Sequence, residues 1–257
     1  MKDRISIIIY TADEEHNIRD CIASARLLTD SIIVIDSEST DKTVEIAKKE
    51  KVPVYTFPRR AYVEPARGFG IEKAITEWVF ILDADERITP ELAEEIKPFL
   101  TYEVKNGAPT HYKISRKNIF ENKWLRHGGW WPDYQTRLIN KKYFQKWPTA
   151  IHSTPVIDGQ TGYLQQPLLH YFHGDLSKMV EKTVIFEDIE SELLFKANKN
   201  VTTATFFRKF LAELYRRLIG HLGFLDGTIG IIESIYQAFS KTITYLYLYE
   251  KKNRRAV

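Results

Sequence analysis

The segment WVFILDADER, Trp78 to Arg87, decides how this chain folds. Its first half is a continuous apolar run, which is typical of a strand buried on both faces of a parallel sheet. Its second half places three carboxylates, Asp83, Asp85 and Glu86, directly after that strand. Because an isolated charge is costly to bury, this acidic end must face a cation, a polar ligand or solvent.

Strands and helices alternate along the chain before this segment. Apolar runs predict strands at residues 5–10, 31–37 and 52–57, while residues 11–25 and 39–51 have the apolar spacing and polar starts of helices. This alternation predicts an α/β fold, with a mainly parallel sheet and helices on both of its faces.

The pattern changes after residue 101. Residues 110–120 and 134–144 predict two further strands, separated by a polar and aromatic loop. From Leu176 onward the chain predicts helices. The second half therefore differs in architecture from the alternating first half.

Acidic residues recur where the predicted strands end. Asp13 and Glu14 follow the first strand, Asp36 ends the second, and Asp83 and Asp85 follow the fourth. Parallel sheets bind ligands at the carboxyl ends of their strands, so these side chains should share one edge. One such aspartate is often only a helix cap, and capping remains an alternative for Asp13.

The spacing of Asp83 and Asp85 suits a divalent cation. Mg²⁺ and Mn²⁺ take oxygen ligands, commonly one or two carboxylates together with substrate phosphates. An Asp-x-Asp leaving a strand therefore predicts a metal held against a diphosphate, with a structural turn as the alternative. Asp36 is placed to accept hydrogen bonds from a ribose or a base.

Residues 5–90 resemble family 2 glycosyltransferases, which have the GT-A fold. The matching segments are ISIIIYTADEEHNI, IIVIDSESTDKTVEIA and WVFILDADERITPEL, in the family's order and spacing. Within the family the chain is most similar to the branch of bacterial lipopolysaccharide-core β-glucosyltransferases, through GGWWPDYQTRLIN, AIHSTPV and LLHYFHGDLSKMVEK. The resemblance covers most of residues 5–185 and implies a GT-A, Rossmann-like sheet.

This resemblance implies metal-assisted, inverting transfer of a sugar, such as glucose, from a nucleoside-diphosphate sugar. The acceptor would be a glycan or a lipid-linked molecule of the bacterial cell envelope. One alternative is a nucleotidyltransferase, although such enzymes usually have a glycine-rich, basic loop where this chain has the acidic YTADEEHNI. Another is a degenerate protein that binds a sugar nucleotide without turning it over.

The resemblance also implies roles for individual residues. Asp85 would bind Mg²⁺ or Mn²⁺, and Asp133 in WWPDYQ would be the base that deprotonates the acceptor hydroxyl. The alternative for Asp133 is a turn-forming role after Pro132. The donor and nucleotide would contact Thr11, Glu14, Asp36, Ser39, Arg67, Lys73, Asp83 and Ala84. The acceptor or diphosphate would contact Trp130, Trp131, Gln135, Arg137, His152 and His173.

Two histidines are further candidates for the site, and two positions differ from the residues that the family usually has. His170 and His173 are candidates to complete a diphosphate or metal site, with packed histidines as the alternative. Asp13 stands where the family usually has Asn, and Ser153 stands where the branch usually has Glu after His. If that Glu contributes to catalysis in the branch, this chain has a different acceptor or a lower activity.

The N-terminal half contains no sign of export. The chain has one cysteine, Cys21, which excludes an intrachain disulfide and fits a reducing compartment. Residues 1–10 read as a strand and not as a signal peptide, and no uncharged apolar run is long enough to predict a spanning helix. We therefore expect a cytoplasmic protein.

The C-terminal region is basic and amphipathic. Residues 196–257 contain 11 Lys and Arg against 4 Asp and Glu, and apolar residues recur at helical spacing over 206–222 and 229–249. This pattern predicts peripheral attachment to the inner face of the cell membrane, with packing on the catalytic domain or a homodimer as alternatives. No motif for nucleic-acid binding accompanies it.

These observations predict three regions. Residues 1–100 form the nucleotide-sugar half of the GT-A domain, residues 101–185 the acceptor half, and residues 186–257 a helical extension.

Overall fold

The computed structural model describes residues 4–101, 104, 107–172 and 176–254. The chain forms two compact units. The first comprises Met1–Lys117 and Asp133–His170, and the second comprises Asn118–Pro132 and Tyr171–Val257.

The regular elements follow the predicted change from alternation to helices. The strands are β1 (Ile5–Thr11), β2 (Ile32–Asp36), β3 (Val54–Thr56), β4 (Trp78–Asp83), β5 (Glu86–Arg87), β6 (Pro109–Phe120), β7 (Lys123–Trp124), β8 (Asp133–Asn140), β9 (Phe144–Lys146), β10 (Val156–Ile157), β11 (Gln160–Tyr163) and β12 (Leu168–Tyr171). The α-helices are α1 (Ile18–Ala25), α2 (Thr43–Lys49), α3 (Glu64–Lys73), α4 (Pro90–Ile96), α5 (Leu176–Lys196), α6 (Thr203–Tyr215) and α7 (Gly227–Arg254).

The sheet of the first unit has the strand order β3-β2-β1-β4-β8-β6-β12-β5, with β11 paired to β6. The strands β3, β2, β1 and β4 run parallel, and β8 and β6 continue the sheet antiparallel. The predicted mainly parallel α/β fold and the C-terminal helices are confirmed.

The core lies on both faces of β1 and β4, as their uninterrupted apolar runs predict. One face of the two strands packs with α1 and α4, and the other packs with α3. The fully buried residues of these strands include Ile7, Ile8, Ile9, Phe80, Ile81 and Leu82. This packing fixes the carboxyl ends of β1 and β4 next to each other.

The start of α1 differs from the prediction. Residues 11–25 predict one helix, but α1 begins only at Ile18. The preceding segment is a turn in which Asp13 has φ of 55° and its N–H donates to Ser39 Oγ at 2.9 Å. Contacts with the loop after β2 hold this turn, and such non-local contacts override local helix propensity.

In the second unit, α5 and α6 both pack against α7. Among the described residues, no single helix combines the length and hydropathy needed to cross a membrane. The segments Thr203–Gly220 and Gly223–Asn253 meet those requirements only jointly, as a pair bent by 65°.

Glu233 is a buried carboxyl on α7 and makes stability depend on pH. Burial raises its pKa to about 7, against the hydrogen bond from Gln237 and the charge of Arg217, which lower it. Because the folded protein favours the protonated carboxyl, Glu233 contributes its full stabilisation below the pKa of the unfolded state, near 4.5. This contribution is lost as the pH rises to and through the folded-state pKa of about 7.

We therefore expect the free energy of unfolding to fall by up to about 3 kcal/mol between pH 5 and pH 8 through this one group. Glu233→Gln should flatten that dependence and leave the variant more stable than the wild type at pH 8. Urea unfolding at both pH values measures this. An unchanged pH dependence in the variant would show that Glu233 is not responsible.

Candidate active site

The carboxyl ends of β1 and β2 form the first part of the candidate site. The parallel register pairs Thr11 with Asp36. Asp36 is buried and accepts hydrogen bonds from Ser39 N at 3.0 Å and Ser39 Oγ at 2.5 Å. Thr11 Oγ1 is buried, and no hydrogen-bond partner for it occurs among the described residues. An unsatisfied hydroxyl of this kind is costly, so it marks a position where a bound polar group would be favourable.

The turn after β1 carries Asp13 and Glu14. Asp13 accepts from Thr40 N at 2.6 Å and pairs with Arg59 at 2.5 Å. Glu14 accepts from Asn17 Nδ2 at 2.7 Å. The predicted donor residues Thr11, Glu14, Asp36 and Ser39 therefore belong to one connected edge of the sheet.

Asp83 ends β4 between two buried arginines. Its carboxylate lies 2.7 Å from Arg67 Nη2 and 2.7 Å from Arg137 Nη2. Burial alone would raise the pKa of Asp83, but the charges of Arg137, Arg67 and Arg116 hold that pKa well below its usual range. Asp83 is therefore an anion at every physiological pH.

A charge chain, in which arginines and acids alternate, extends from Arg67 through Asp83 to the predicted base. Arg137 Nη2 also contacts Glu86 Oε1 at 2.5 Å, and the Glu86 side chain is fully buried. Arg116 Nη1 lies 3.4 Å from the same oxygen. This charge chain consists of three acids and three arginines, in the order Arg67, Asp83, Arg137, Glu86, Arg116 and Asp133. Its charges balance, as a stable buried network requires.

Asp133 begins β8 and is positioned by its neighbours. The register of β6 and β8 places Arg116 directly opposite it. Asp133 Oδ2 accepts from Arg116 Nε at 2.8 Å and Nη2 at 2.6 Å, and Oδ1 accepts from Gln135 Nε2 at 2.9 Å. These contacts fix the orientation of a carboxylate whose side chain is 21% exposed.

Asp85 lies beside His170. The antiparallel pairing of β12 with β5 sets His170 opposite Glu86, and His170 Nε2 is 3.5 Å from Asp85 Oδ2. A carboxylate oxygen and an imidazole nitrogen are both suitable metal ligands. No group of three or more His, Cys, Asp or Glu side chains able to hold a metal occurs among the described residues. Asp85 would supply the carboxylate that Mg²⁺ or Mn²⁺ prefers, with substrate phosphate and water as further ligands, and His170 lies close enough to contact this carboxylate.

Other predicted residues lie in different surroundings. Ala84 is buried, and its N–H donates to Tyr10 O at 3.0 Å. The Lys73 ammonium lies over the rings of Phe69 and Tyr55, at 4.9 and 5.5 Å. His152 is exposed, and its N–H donates to Glu64 at 2.8 Å. These contacts do not connect Lys73 or His152 to the acidic edge.

The predicted aromatic residues belong to the second unit. Trp130 packs on Phe172 at 4.9 Å, and Trp131 meets Trp124 edge-on at 5.2 Å. Trp130 also lies 5.3 Å from the Arg217 guanidinium. Their contact with an acceptor stays a prediction. His173 lies outside the described residues.

A buried carboxylate anchors the loop that carries these tryptophans. Asp226 Oδ2 accepts from the N–H groups of Arg126 and His127, at 2.9 and 2.8 Å, and Oδ1 lies 2.8 Å from His127 Nδ1. Arg217 Nη1 donates to Gly128 O at 3.0 Å. The segment between α6 and α7 therefore holds the aromatic loop in place.

No sequence pattern predicts a role for Arg116, and none gives Glu86 a definite role. Arg116 lies 17 residues before its partner Asp133 and belongs to no motif. The signal that would have found it is the register of β6 against β8, which places the two residues opposite each other.

Comparison of the sequence with known protein families identifies the family of this chain. Residues 6–158 match the model of Glycosyl transferase family 2. This match covers more than half of the chain, so the chain belongs to that family of transferases. The resemblance predicted from the sequence is confirmed at the level of the family.

Two relatives and one solved structure illustrate the likeness. An uncharacterised glycosyltransferase of Rickettsia conorii is 27% identical over 97% of this chain and 91% of its own length. Another from Rickettsia bellii is 29% identical over 96% and 86%. The crystal structure of S. aureus TarS 1–349 in complex with UDP-GlcNAc has a TM-score of 0.50 and 14% identity, covering 98% of this chain and 92% of that chain. At this identity the structural likeness shows the fold alone.

Proposed function

We propose that this family 2 glycosyltransferase transfers a sugar from a nucleoside-diphosphate donor with inversion and with the help of Mg²⁺ or Mn²⁺. The observation that carries the proposal is the contact of Asp85 with His170, next to the buried ion pairs of Asp83. The solved TarS structure of similar fold holds UDP-GlcNAc, which agrees with a sugar-nucleotide donor.

The proposed donor residues have distinct tasks. Asp36, Ser39 and Thr11 contact the nucleoside at the ends of β1 and β2. Asp83, fixed by Arg67 and Arg137, contacts the ribose and donor sugar. Asp85, in contact with His170, would hold the cation, which would neutralise charge on the departing diphosphate.

Asp133 is the proposed base. Inversion requires one carboxylate to accept the proton of the acceptor hydroxyl while that oxygen attacks the anomeric carbon. Arg116 and Gln135 hold Asp133 from both of its oxygens, so its orientation is set before the acceptor arrives. Preorganisation of this kind removes the entropic cost of aligning the base during reaction.

The acceptor is proposed to be a glycan or lipid-linked molecule of the bacterial cell envelope. Glucose transfer in lipopolysaccharide-core synthesis is the specific form of this proposal. It is supported by the sequence similarity of residues 128–140, 150–156 and 168–182 to that branch. A cytoplasmic location at the inner face of the membrane fits the one cysteine and the basic C-terminal region.

Asp133→Asn should separate binding from turnover. The amide keeps the shape of the side chain but cannot accept the proton, so we expect kcat to fall by about 10²–10⁴-fold. Donor binding should stay unchanged. Release of nucleoside diphosphate from a panel of nucleotide sugars, with water or added glycan as acceptor, measures turnover.

The matched control is Asp158→Asn, an exposed aspartate of the same unit that bonds Gln145. It should turn over donor like the wild type. Turnover by Asp133→Asn at the wild-type rate would remove Asp133 from the mechanism.

A further inference from the structure

Helices α6 and α7 carry exposed apolar stripes. On α6, Phe207, Leu211 and Tyr215 are 68%, 59% and 67% exposed and follow one another at intervals of four residues. This spacing puts them on one face of the helix. On α7 the exposed residues at helical spacing are Ile232, Ile235, Phe239 and Leu246.

The segment between the two helices also carries exposed apolar residues. Leu222, Phe224 and Leu225 are each 44% to 54% exposed. Contiguous exposed apolar surface is rare on soluble monomers and marks a place where something else binds. We call the stripes of α6 and α7 and this connecting segment the apolar face.

The opposite sides of these helices are already covered. Between α6 and α7, Phe206 meets Tyr249 at 6.5 Å, and Lys209 lies 5.4 Å from the Tyr245 ring. Between α5 and α7, Thr183 bonds Tyr236 at 2.8 Å. These contacts between the helices do not involve the residues of the apolar face.

The charges near the apolar face are mostly positive. Residues 203–254 contain eight Lys and Arg against four Asp and Glu. Asp226 and Glu233 are buried, Glu213 is paired with Arg216 and Arg217, and Lys251 is paired with Asp188 and Glu192 of α5. The bases that remain, Arg208, Lys209, Lys241, Lys252 and Arg254, still outnumber the one remaining acid, Glu250. The exposed surface of this region therefore has a surplus of positive charge.

We propose that the apolar face docks on an anionic membrane surface, with its apolar side chains among the lipid headgroups. An interfacial helix needs an apolar stripe and basic flanks, and anionic lipids attract the latter. A two-fold homodimer would instead set the same basic surface against itself, which is unfavourable. The inference rests on the helices alone and is independent of the transfer reaction.

Flotation of the full-length protein with lipid vesicles tests the proposal. The probes are phosphatidylcholine vesicles with and without phosphatidylglycerol. We expect the wild type to float with the anionic vesicles, and added salt to weaken this binding. The double variant Leu211→Gln/Phe239→Gln should bind at least about tenfold more weakly, because it removes two exposed apolar side chains that docking on the membrane would bury.

Two further variants sharpen the test. Ile75→Gln is the matched control, since Ile75 is 95% exposed but lies in the first unit, and it should float like the wild type. Arg208→Gln should weaken binding to anionic vesicles by about fivefold. If the double variant fails to fold, judged by its thermal unfolding, Phe207→Gln/Tyr215→Gln on α6 replaces it.

Three results would overturn the proposal. They are no flotation of the wild type with anionic vesicles, equal flotation of wild type and double variant, and a lipid-free dimer that the double variant dissociates. Sedimentation velocity without lipid measures the last of these.

Discussion

Replacing Asp85 with Asn is expected to weaken Mn²⁺-dependent binding of a nucleoside diphosphate by at least about 10–100-fold. Removing even the groups that orient a metal ligand costs that much, and Asp85 is the proposed ligand itself. The amide keeps the volume of the carboxylate, so the fold should persist. Titration calorimetry with UDP, with Mn²⁺ and with EDTA, measures the loss.

The control for this variant is Asp20→Asn. Asp20 is an exposed aspartate in the first turn of α1, and its replacement should leave UDP binding unchanged. Wild-type, metal-dependent affinity in Asp85→Asn would exclude Asp85 as a ligand. A parallel loss in His170→Gln would support the pairing with His170.

Replacing Glu86 with Ala is expected to lower the free energy of unfolding by about 3–5 kcal/mol. Glu86 is fully buried and contacts Arg137, whose side chain is 4% exposed. Without Glu86, Arg137 and Arg116 keep their positive charges but lose the carboxylate that both of them contact. A buried charge without a partner of opposite sign is costly. Guanidinium unfolding of the variant and the wild type measures the difference.

Glu45→Gln is the control for this second variant. Glu45 forms an exposed pair with Lys49 on α2, and such pairs contribute at most about 0.5 kcal/mol. If Glu86→Ala were no less stable than Glu45→Gln, the buried charge chain would not contribute measurably to the free energy of unfolding.

The acidic edge was predictable because its signals are local. The apolar runs of β1, β2 and β4 mark buried strands, and the topology of a parallel sheet then brings their carboxyl ends together. The structure pairs Tyr10 with Asp83 and Thr11 with Asp36, as that reasoning requires.

The surroundings of the acids were not predictable, because they depend on long-range register. Arg116 meets Asp133 only through the pairing of β6 with β8, which includes a shift between Tyr112 and Lys113. A one-residue slip would turn Arg116 to the other face of the sheet. His170 likewise reaches Asp85 through the pairing of β12 with β5. No local pattern encodes either pairing.

If this chain binds a nucleoside-diphosphate sugar through a metal, that donor must stabilise the fold, and thermal unfolding with a panel of nucleotide sugars measures this stabilisation. At 100 times its dissociation constant, a donor should stabilise the fold by about 2.7 kcal/mol. For a protein of this size, that is a rise in Tm of roughly 5–10 °C. We predict such a rise with at least one nucleotide sugar in the presence of Mn²⁺ and its absence with EDTA. An unchanged Tm with every nucleotide sugar and Mn²⁺ would show that the chain does not bind a sugar nucleotide through a metal.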